Sequence, residues 1–154
     1  MQGDKKIIAY LNQVLTYELT AINQYFTHYK MRENWGFKKL AAETRAESME
    51  EMKHAERVMD RILFLEGVPN LQDLNKLGIG ETVEEQMKLD LALEAHDAPL
   101  LREAVQYCRS KGDDVTKDLL QELLEDTEEH IHHLETQMEL IEKVGIHNYL
   151  QSQI

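Results

Sequence analysis

The sequence has little that would interrupt it. Two prolines and seven glycines in 154 residues leave few points at which a helix must stop, which favours long helices joined by few turns. A single cysteine, Cys108, excludes an internal disulfide and a multi-cysteine zinc site. Positive charge is scarce: 17 Lys and Arg stand against 29 Asp and Glu, a net charge of −12. That balance argues against binding a nucleic-acid backbone and suits cations, although an acidic surface also serves solubility. No apolar run is long enough to span a bilayer, and no apolar stretch follows the opening Met-Gln-Gly-Asp-Lys-Lys. We therefore expect a soluble, cytoplasmic chain with no membrane partner. With 42% hydrophobic residues, residues 1–154 suffice for one domain with its own core.

Where breakers are few, those present divide the chain. Asp4 is placed to cap a first helix running to about Asn34. Ile7, Leu11, Leu15, Ile22, Tyr25, Phe26 and Tyr29 recur along it at helical spacing, with Glu18 on the same stripe. Trp35-Gly36 ends the pattern. A second helix over about 37–66 carries the inward stripe Leu40, Thr44, Glu47, Glu51, His54, Val58, Ile62 and Leu65. Gly67 to Thr82 reads as a long connection whose Leu71, Leu74, Leu77 and Ile79 should pack along the bundle as an ordered crossover. Thr82-x-x-Glu85 forms a capping box for a third helix over 83–111. Its stripe is Val83, Met87, Leu91, Glu94, Ala98, Leu101, Val105 and Cys108, and Pro99 should kink or break it. Lys111-Gly112 closes that helix. A fourth follows over 114–144, with Leu120, Leu123, Leu124, Thr127, His130, Ile131, Leu134, Met138 and Ile141 inward. After Gly145, residues 146–154 make a tail too short to be helical alone, so it must dock on something.

The chemistry sits at the middles of these stripes. Glu51 and His54 are three apart, which stacks a carboxylate and an imidazole on one helix face. Glu-x-x-His is the pair that a di-iron carboxylate bundle takes from a helix. Glu18, Glu94 and His130 each interrupt an apolar row on another helix. Blander readings exist for each. Glu18 can lie at its stripe's margin, His130 can be a hydrogen-bonded core histidine, and α-helical rotation can bury Met49, Met52 and Met59 instead of Glu47, Glu51 and His54. A shared metal site accounts for all four helices at once. Carboxylate and imidazole donors without thiolate suit iron or manganese, with zinc able to compete.

The segments Leu-Thr-Ala-Ile-Asn-Gln-Tyr-Phe (19–26), Glu-Met-Lys-His-Ala (51–55), Arg-Ile-Leu-Phe-Leu-Glu-Gly (61–67), Pro-Asn-Leu-Gln-Asp-Leu (69–74), Asp-Leu-Ala-Leu-Glu (90–94) and Asn-Tyr-Leu-Gln-Ser-Gln (148–153) resemble bacterioferritin, and the resemblance covers essentially the whole chain. It implies an all-α, ferritin-like four-helix bundle over 1–144, with a long crossover between helices two and three and a short fifth helix over 145–154, all in a single ferritin-like domain. It implies a hollow shell of 24 subunits that oxidises Fe(II) with O2 or peroxide and stores ferric mineral inside. A ferredoxin-type reductant is the implied electron partner. By position, Glu18 and His54 resemble the terminal ligands of one iron, Glu94 and His130 those of the other, and Glu51 the bridge between them. Tyr25 resembles the family's electron-donating tyrosine. Met52 resembles the methionine that, with its twin on a second subunit, ligates haem b. Otherwise, Met52 is an ordinary methionine filling an interface. Asn148 and Gln151 fall where the resemblance places a four-fold pore.

One position departs from the pattern. The second Glu-x-x-His would need Glu at 127, and the chain has Thr127. Glu128 is two residues before His130, roughly 200° around the helix, and points elsewhere. Asp126 shares the general face of His130 but is shorter and enters at another angle. Ala46 offers no ligand nearby, and His132 with His133 adds imidazoles just beyond. Three carboxylates against two Fe(II) ions leave one positive charge uncompensated and remove one bridge. Weaker metal binding is expected, or water, hydroxide or Asp126 in the gap. Two readings follow: an iron-storage subunit with ferroxidase chemistry, or a non-catalytic haem-carrying structural subunit that assembles beside a second, fully liganded bacterioferritin subunit. A di-iron oxidase acting on organic substrates is disfavoured, because the resemblance extends through the crossover and the tail.

Overall fold

The computed structural model describes residues 1–154. The chain is all-helical and contains no strand. Its elements are α1 (Lys5–Asn34), α2 (Lys38–Phe64), α3 (Val83–Lys111), α4 (Asp114–Val144) and α5 (Ile146–Gln151).

The helix ends follow local chemistry. The Asp4 carboxylate accepts from the backbone N–H groups of Lys6 and Ile7, at 2.8 and 3.1 Å, which satisfies donors that α1 cannot pair internally. Thr82 Oγ1 accepts from Glu85 N at 3.1 Å. Glu85 reaches back to the N–H of Glu81 at 2.8 Å, one residue short of a reciprocal box. Gly112, at φ 74°, closes α3 in the left-handed conformation that glycine adopts at little cost. The start of α2 has no side-chain cap. Its Lys39 and Leu40 N–H groups donate instead to the carbonyl of Gln153, at 3.0 and 3.4 Å. The tail thus docks within its own chain and caps α2.

Two hairpins, α1–α2 and α3–α4, make the bundle, with α1 also against α3 and α2 against α4. The pairings run in opposite directions. Arg32 meets Gln86, Gln24 meets Asp90 and Tyr10 meets Glu103, so α3 is antiparallel to α1. Arg61 with Thr116, Arg57 with Glu122 and His54 with Asp126 give the same relation for α2 and α4. The segment between α2 and α3 ascends alongside α1. Asn12 binds Val68 and Asn70, Thr20 binds the N–H of Asn75, Gln24 that of Gly78 and His28 that of Gly80. A Cβ at Gly80 would lie 2.5 Å from Gln86 N, so only glycine fits this approach.

Several expectations from the sequence are corrected here. Leu71, Leu74, Leu77 and Ile79 do not pack on the bundle: all four are exposed. A polar ladder on α1, spaced four and eight residues apart, holds the connection down by its backbone instead. The distal half of the α1 stripe is also different. Phe26 is exposed, Ile22 and Tyr29 are half-buried, and the inward positions are Ala21, Gln24, Tyr25, His28 and Arg32. Ile22 packs at the edge of the core, while Phe26 and Tyr29 lie off the inward face, a difference that periodicity alone does not reveal. Pro99 neither breaks nor ends α3, which is continuous through it. Pro99 and Ala95, whose carbonyl loses its helical donor, are both exposed, so the freed oxygen is not shut away from solvent.

The apolar core is divided. A larger cluster contains Leu11, Leu15, Val58, Ile62, Leu101, Leu120 and Leu123 among others. A smaller one at the opposite end joins Leu40, Val83, Met87, Leu134, Ile141 and Tyr149. Between them lies a polar waist. Tyr149 anchors α5 in the smaller cluster, 1% exposed, with its hydroxyl donating to Gln137 Oε1 at 2.7 Å. Truncation to Tyr149→Ala should remove that anchor and, with it, the Gln153 cap on α2. By analogy with large-to-small aromatic substitutions, the expected loss is about 3 kcal/mol, read as a lower urea midpoint in equilibrium unfolding. An unchanged midpoint would show that the tail contributes nothing to the bundle.

Candidate metal centre

The polar waist is where the four inward rows converge. Helix α2 supplies Glu51 and His54 from one face, α1 supplies Glu18, α3 Glu94 and α4 His130. Their ligand atoms form two groups, Glu18–Glu51–His54 and Glu51–Glu94–His130, each with all three atoms within 4.8 Å of one another. Glu51 belongs to both. Its Oε2 is 3.3 Å from His54 Nδ1, and its Oε1 is 3.2 Å from His130 Nδ1. Glu18 Oε2 stands 3.6 Å from His54 Nδ1, and Glu94 Oε1 stands 3.4 Å from His130 Nδ1. The Tyr25 hydroxyl donates to Glu94. All five residues expected from the sequence are thus brought together, with Tyr25 beside them. Met52 lies apart: it is 47% exposed. Met49 and Met59 are half-buried, so α2 does not turn its methionines inward in place of Glu51 and His54.

The electrostatics of the pocket follow from burial and from the charges that face one another in it. Burial drives the Glu18 carboxyl well above its ordinary range, and the neighbouring Glu51 charge pushes it further. Burial acts on Glu51 in the same direction, but hydrogen bonds from Glu18, His130 and His54 outweigh it and hold Glu51 ionised and low. Burial disfavours a charged His130, yet Glu51 and Glu94 raise it to about 12. His54 is raised by Glu51 and Asp126 against the same burial penalty. The two imidazoles are thus the groups whose charged form the facing carboxylates favour. The Oε2 atom of Glu18 is buried with no hydrogen-bond partner at all. An orphaned carboxylate oxygen, oxygen and nitrogen donors, and a carboxylate facing two histidines fit a pair of hard or borderline divalent ions. Binding such ions would displace the imidazole protons.

Outside this pair of groups, Asp126 accepts from His54 Nε2 at 2.8 Å, on the ring edge away from Glu18 and Glu51. It therefore orients His54, as the outer partner of a ligating histidine does, and does not fill the place opposite His130. Glu50 lies 3.4 Å from His130 Nε2 and, with His54 and Asp126, forms a third, more open grouping. Thr127 is buried. His132 and His133 are exposed and stand apart from the cluster.

Sequence reasoning overlooked two features. Asp90 and Asp97 are buried on the same face of α3 as Glu94, spaced four before and three after it. The rule that found Glu51 and His54 would have found them too. A second polar network lies further along α1. There the buried Arg32 donates to Gln86 and Thr44, each at 2.7 Å, and stands 4.0 Å from Asp90. Gln24 also donates to Asp90, at 2.8 Å. His28 Nδ1 is 3.0 Å from Asp90 Oδ1, off the line of a hydrogen bond. Glu47, half-buried beside this network, is pushed up to about 7 by burial.

Comparison with known proteins agrees with this architecture. A family model described as a ferritin-like domain matches residues 8–144. The chain is 52% identical over 149 residues to a bacterioferritin of Mycolicibacterium paratuberculosis, covering 97% of this chain and 94% of that one. It is 52% identical over 145 residues to a bacterioferritin of Mycobacterium tuberculosis, covering 94% and 91%. It is 46% identical over 154 residues to that of Streptomyces coelicolor, covering 100% and 92%. A ferritin-like domain over most of its length, and half-identity across nearly all of it to such relatives, make this chain a member of the bacterioferritin family.

Proposed function

We propose that the protein is an iron-storage subunit that oxidises Fe(II) inside its own bundle and passes ferric iron to a mineral held in a hollow shell of 24 subunits. The observation that carries this reading is Glu51, one carboxylate facing histidines from two helices. Two Fe(II) ions are the substrate. Glu18 and His54 hold one, Glu94 and His130 the other, and Glu51 spans both. Each ion gives one electron to O2 or peroxide and leaves as Fe(III). The anionic pocket stabilises the higher charge of the product more than that of the reactant, which favours oxidation. Tyr25, whose hydroxyl bonds Glu94, is a side chain beside the centre able to supply a further electron. Asp126 fixes the ring of His54.

Haem b belongs to the same proposal, at Met52. The residue is exposed and one turn beyond Ser48, whose hydroxyl donates to the Ile22 carbonyl at 3.0 Å. On these two neighbouring helices, Met52 of α2 and Phe26 of α1 are both exposed. Apolar surface beside a free thioether fits a flat macrocycle shared with a second copy across a two-fold axis. When bound, the haem supplies one-electron transfer; the protein's part is to hold it by Met52 from each subunit. Replacement by Met52→Leu should abolish haem uptake, read as loss of the Soret band, while the particle keeps its size on gel filtration. Retained haem would refute the assignment.

Thr127 favours a second reading, a haem-carrying structural subunit with a defective centre that co-assembles with a fully liganded one. Anaerobic Fe(II) binding and stopped-flow Fe(II) oxidation by the homo-oligomer separate the two. The ferroxidase reading requires two metals per chain and turnover; absence of both would leave the structural role. A carboxylate restored by Thr127→Glu adds the missing bridge beside His130 and should raise both metal affinity and oxidation rate, by about tenfold or more. Equal rates and two metals per chain in both proteins would show that Thr127 is no defect.

A further inference from the structure

The two histidines of the centre are held by their outer ring edges as well as by the edges that face Glu51. A polar ladder joins α2 to α4 in antiparallel register. Arg61 meets Asp113 and Thr116, Arg57 meets Glu122, and His54 meets Asp126. One turn further, four residues back along α2 and four on along α4, the same register brings Glu50 to His130. Glu50 Oε2 is 3.4 Å from His130 Nε2, while Nδ1 of the same ring faces Glu51 and Glu94 at 3.2 and 3.4 Å. Glu50 and Glu51 are neighbours on α2 and take opposite edges of one ring. The exchange is reciprocal: α4 brings Asp126 to the histidine of α2, and α2 brings Glu50 to the histidine of α4.

An ionised carboxylate only accepts hydrogen bonds. Beside Nε2 it selects the tautomer with the proton on that nitrogen and leaves the Nδ1 lone pair free for an ion. His54 has a second hold, since Glu51 stands three residues before it on its own helix and faces its Nδ1. At the matching position before His130 stands Thr127, buried and with a neutral hydroxyl. The polar contacts of the His130 ring therefore come from α2 and α3 alone. The Glu50 side chain is 44% exposed, so its pairing adds little to stability and its removal opens no cavity. Resting on the iron-binding reading above, we infer that Glu50 is a positioning residue: it fixes the tautomer and ring plane of His130 and so sets the affinity of the ion that His130 and Glu94 hold. The ion at His54 has Asp126 in the same role and does not depend on Glu50.

The test uses the full-length assembled protein, stripped of metal by chelation and titrated with Co(II), followed by calorimetry and by visible absorption. The native protein should take two Co(II) per chain. In Glu50→Ala one equivalent should weaken by about tenfold or more and its visible band should change, while the other equivalent keeps its affinity and the Tm of the metal-free protein stays level or rises. Glu50→Gln, whose amide oxygen still accepts from Nε2, should recover part of the loss. His130→Ala should weaken the same equivalent, and adding Glu50→Ala to it should leave the remaining binding unchanged. Native Co(II) affinity in Glu50→Ala would overturn the assignment and leave the ferroxidase reading standing. So would a further loss in the double variant, since a residue that only supports the fold disturbs the remaining site as well. A third equivalent in the native protein that Glu50→Ala removes would also overturn it, because Glu50, grouped with His54 and Asp126, would then be a ligand. A native protein that takes up no Co(II) would overturn both readings together.

Discussion

Glu51 is the constraint around which the bundle closes. Its two oxygens face imidazoles from α2 and α4, and α2 and α4 touch each other only along a narrow strip. Each neighbour is then fixed by what Glu51 leaves over. Glu18 approaches the His54 side and Glu94 the His130 side, and both are buried where an acid resists ionisation. The arrangement is strained in charge and not in backbone. The divided core is the consequence. Apolar clusters lie on either side of the waist and hold the helices in register, so that the acids cannot move apart to relieve their repulsion.

The two polar networks in the bundle use similar residues to opposite ends. Around Arg32, a guanidinium sits among Gln86, Thr44 and Asp90, so the positive charge is built in. That network also fastens the connection between α2 and α3, through Gln24 and His28 to the N–H groups of Gly78 and Gly80. Its cation is part of the fold, although Arg32 Nη2 and His28 Nδ1 make no hydrogen bond. Around Glu51 no lysine or arginine pairs with the acids; their partners are the imidazoles of His54 and His130. Protons can leave in exchange for metal; a guanidinium cannot. The contrast separates a structural polar cluster from one suited to a guest ion, and rests on the identity of the buried cation, not on the number of acids.

Periodicity made the bundle legible because long helices with few breakers repeat their pattern many times. Glu18, Glu51, His54, Glu94 and His130 stood out as polar interruptions of apolar rows. Asp90 and Asp97 did not, because the α3 row was read through Met87, Leu91, Glu94 and Ala98, and the acids four before and three after Glu94 fell outside it. The row Ile22, Phe26, Tyr29 was misread for the opposite reason: apolar residues away from the core can repeat at the same spacing as the core row, and spacing alone does not say which is buried. The connection between α2 and α3 was misjudged because its leucines suggested burial. The actual fastening, backbone N–H groups on side chains of Asn12, Thr20, Gln24 and His28, is scattered over residues distant in sequence.

The substitution at 127 shows how helical geometry limits repair. Successive residues on α4 are 100° apart, so an acid at 126 and one at 127 serve different neighbours. Asp126 reaches the outer nitrogen of His54 and is committed there. It cannot also approach His130, whose Nε2 faces Glu50 and whose Nδ1 faces Glu51 and Glu94. Glu128 is turned outward and pairs with Arg102. No neighbour on α4 therefore stands where a carboxylate at 127 would. Of the remaining inward faces, α1 and α2 already spend their central turns on Glu18, Glu51 and His54. On α3 the central turn carries Glu94, hydrogen-bonded by Tyr25 and facing His130, so each of the other three helices already has its inward acid engaged with the centre.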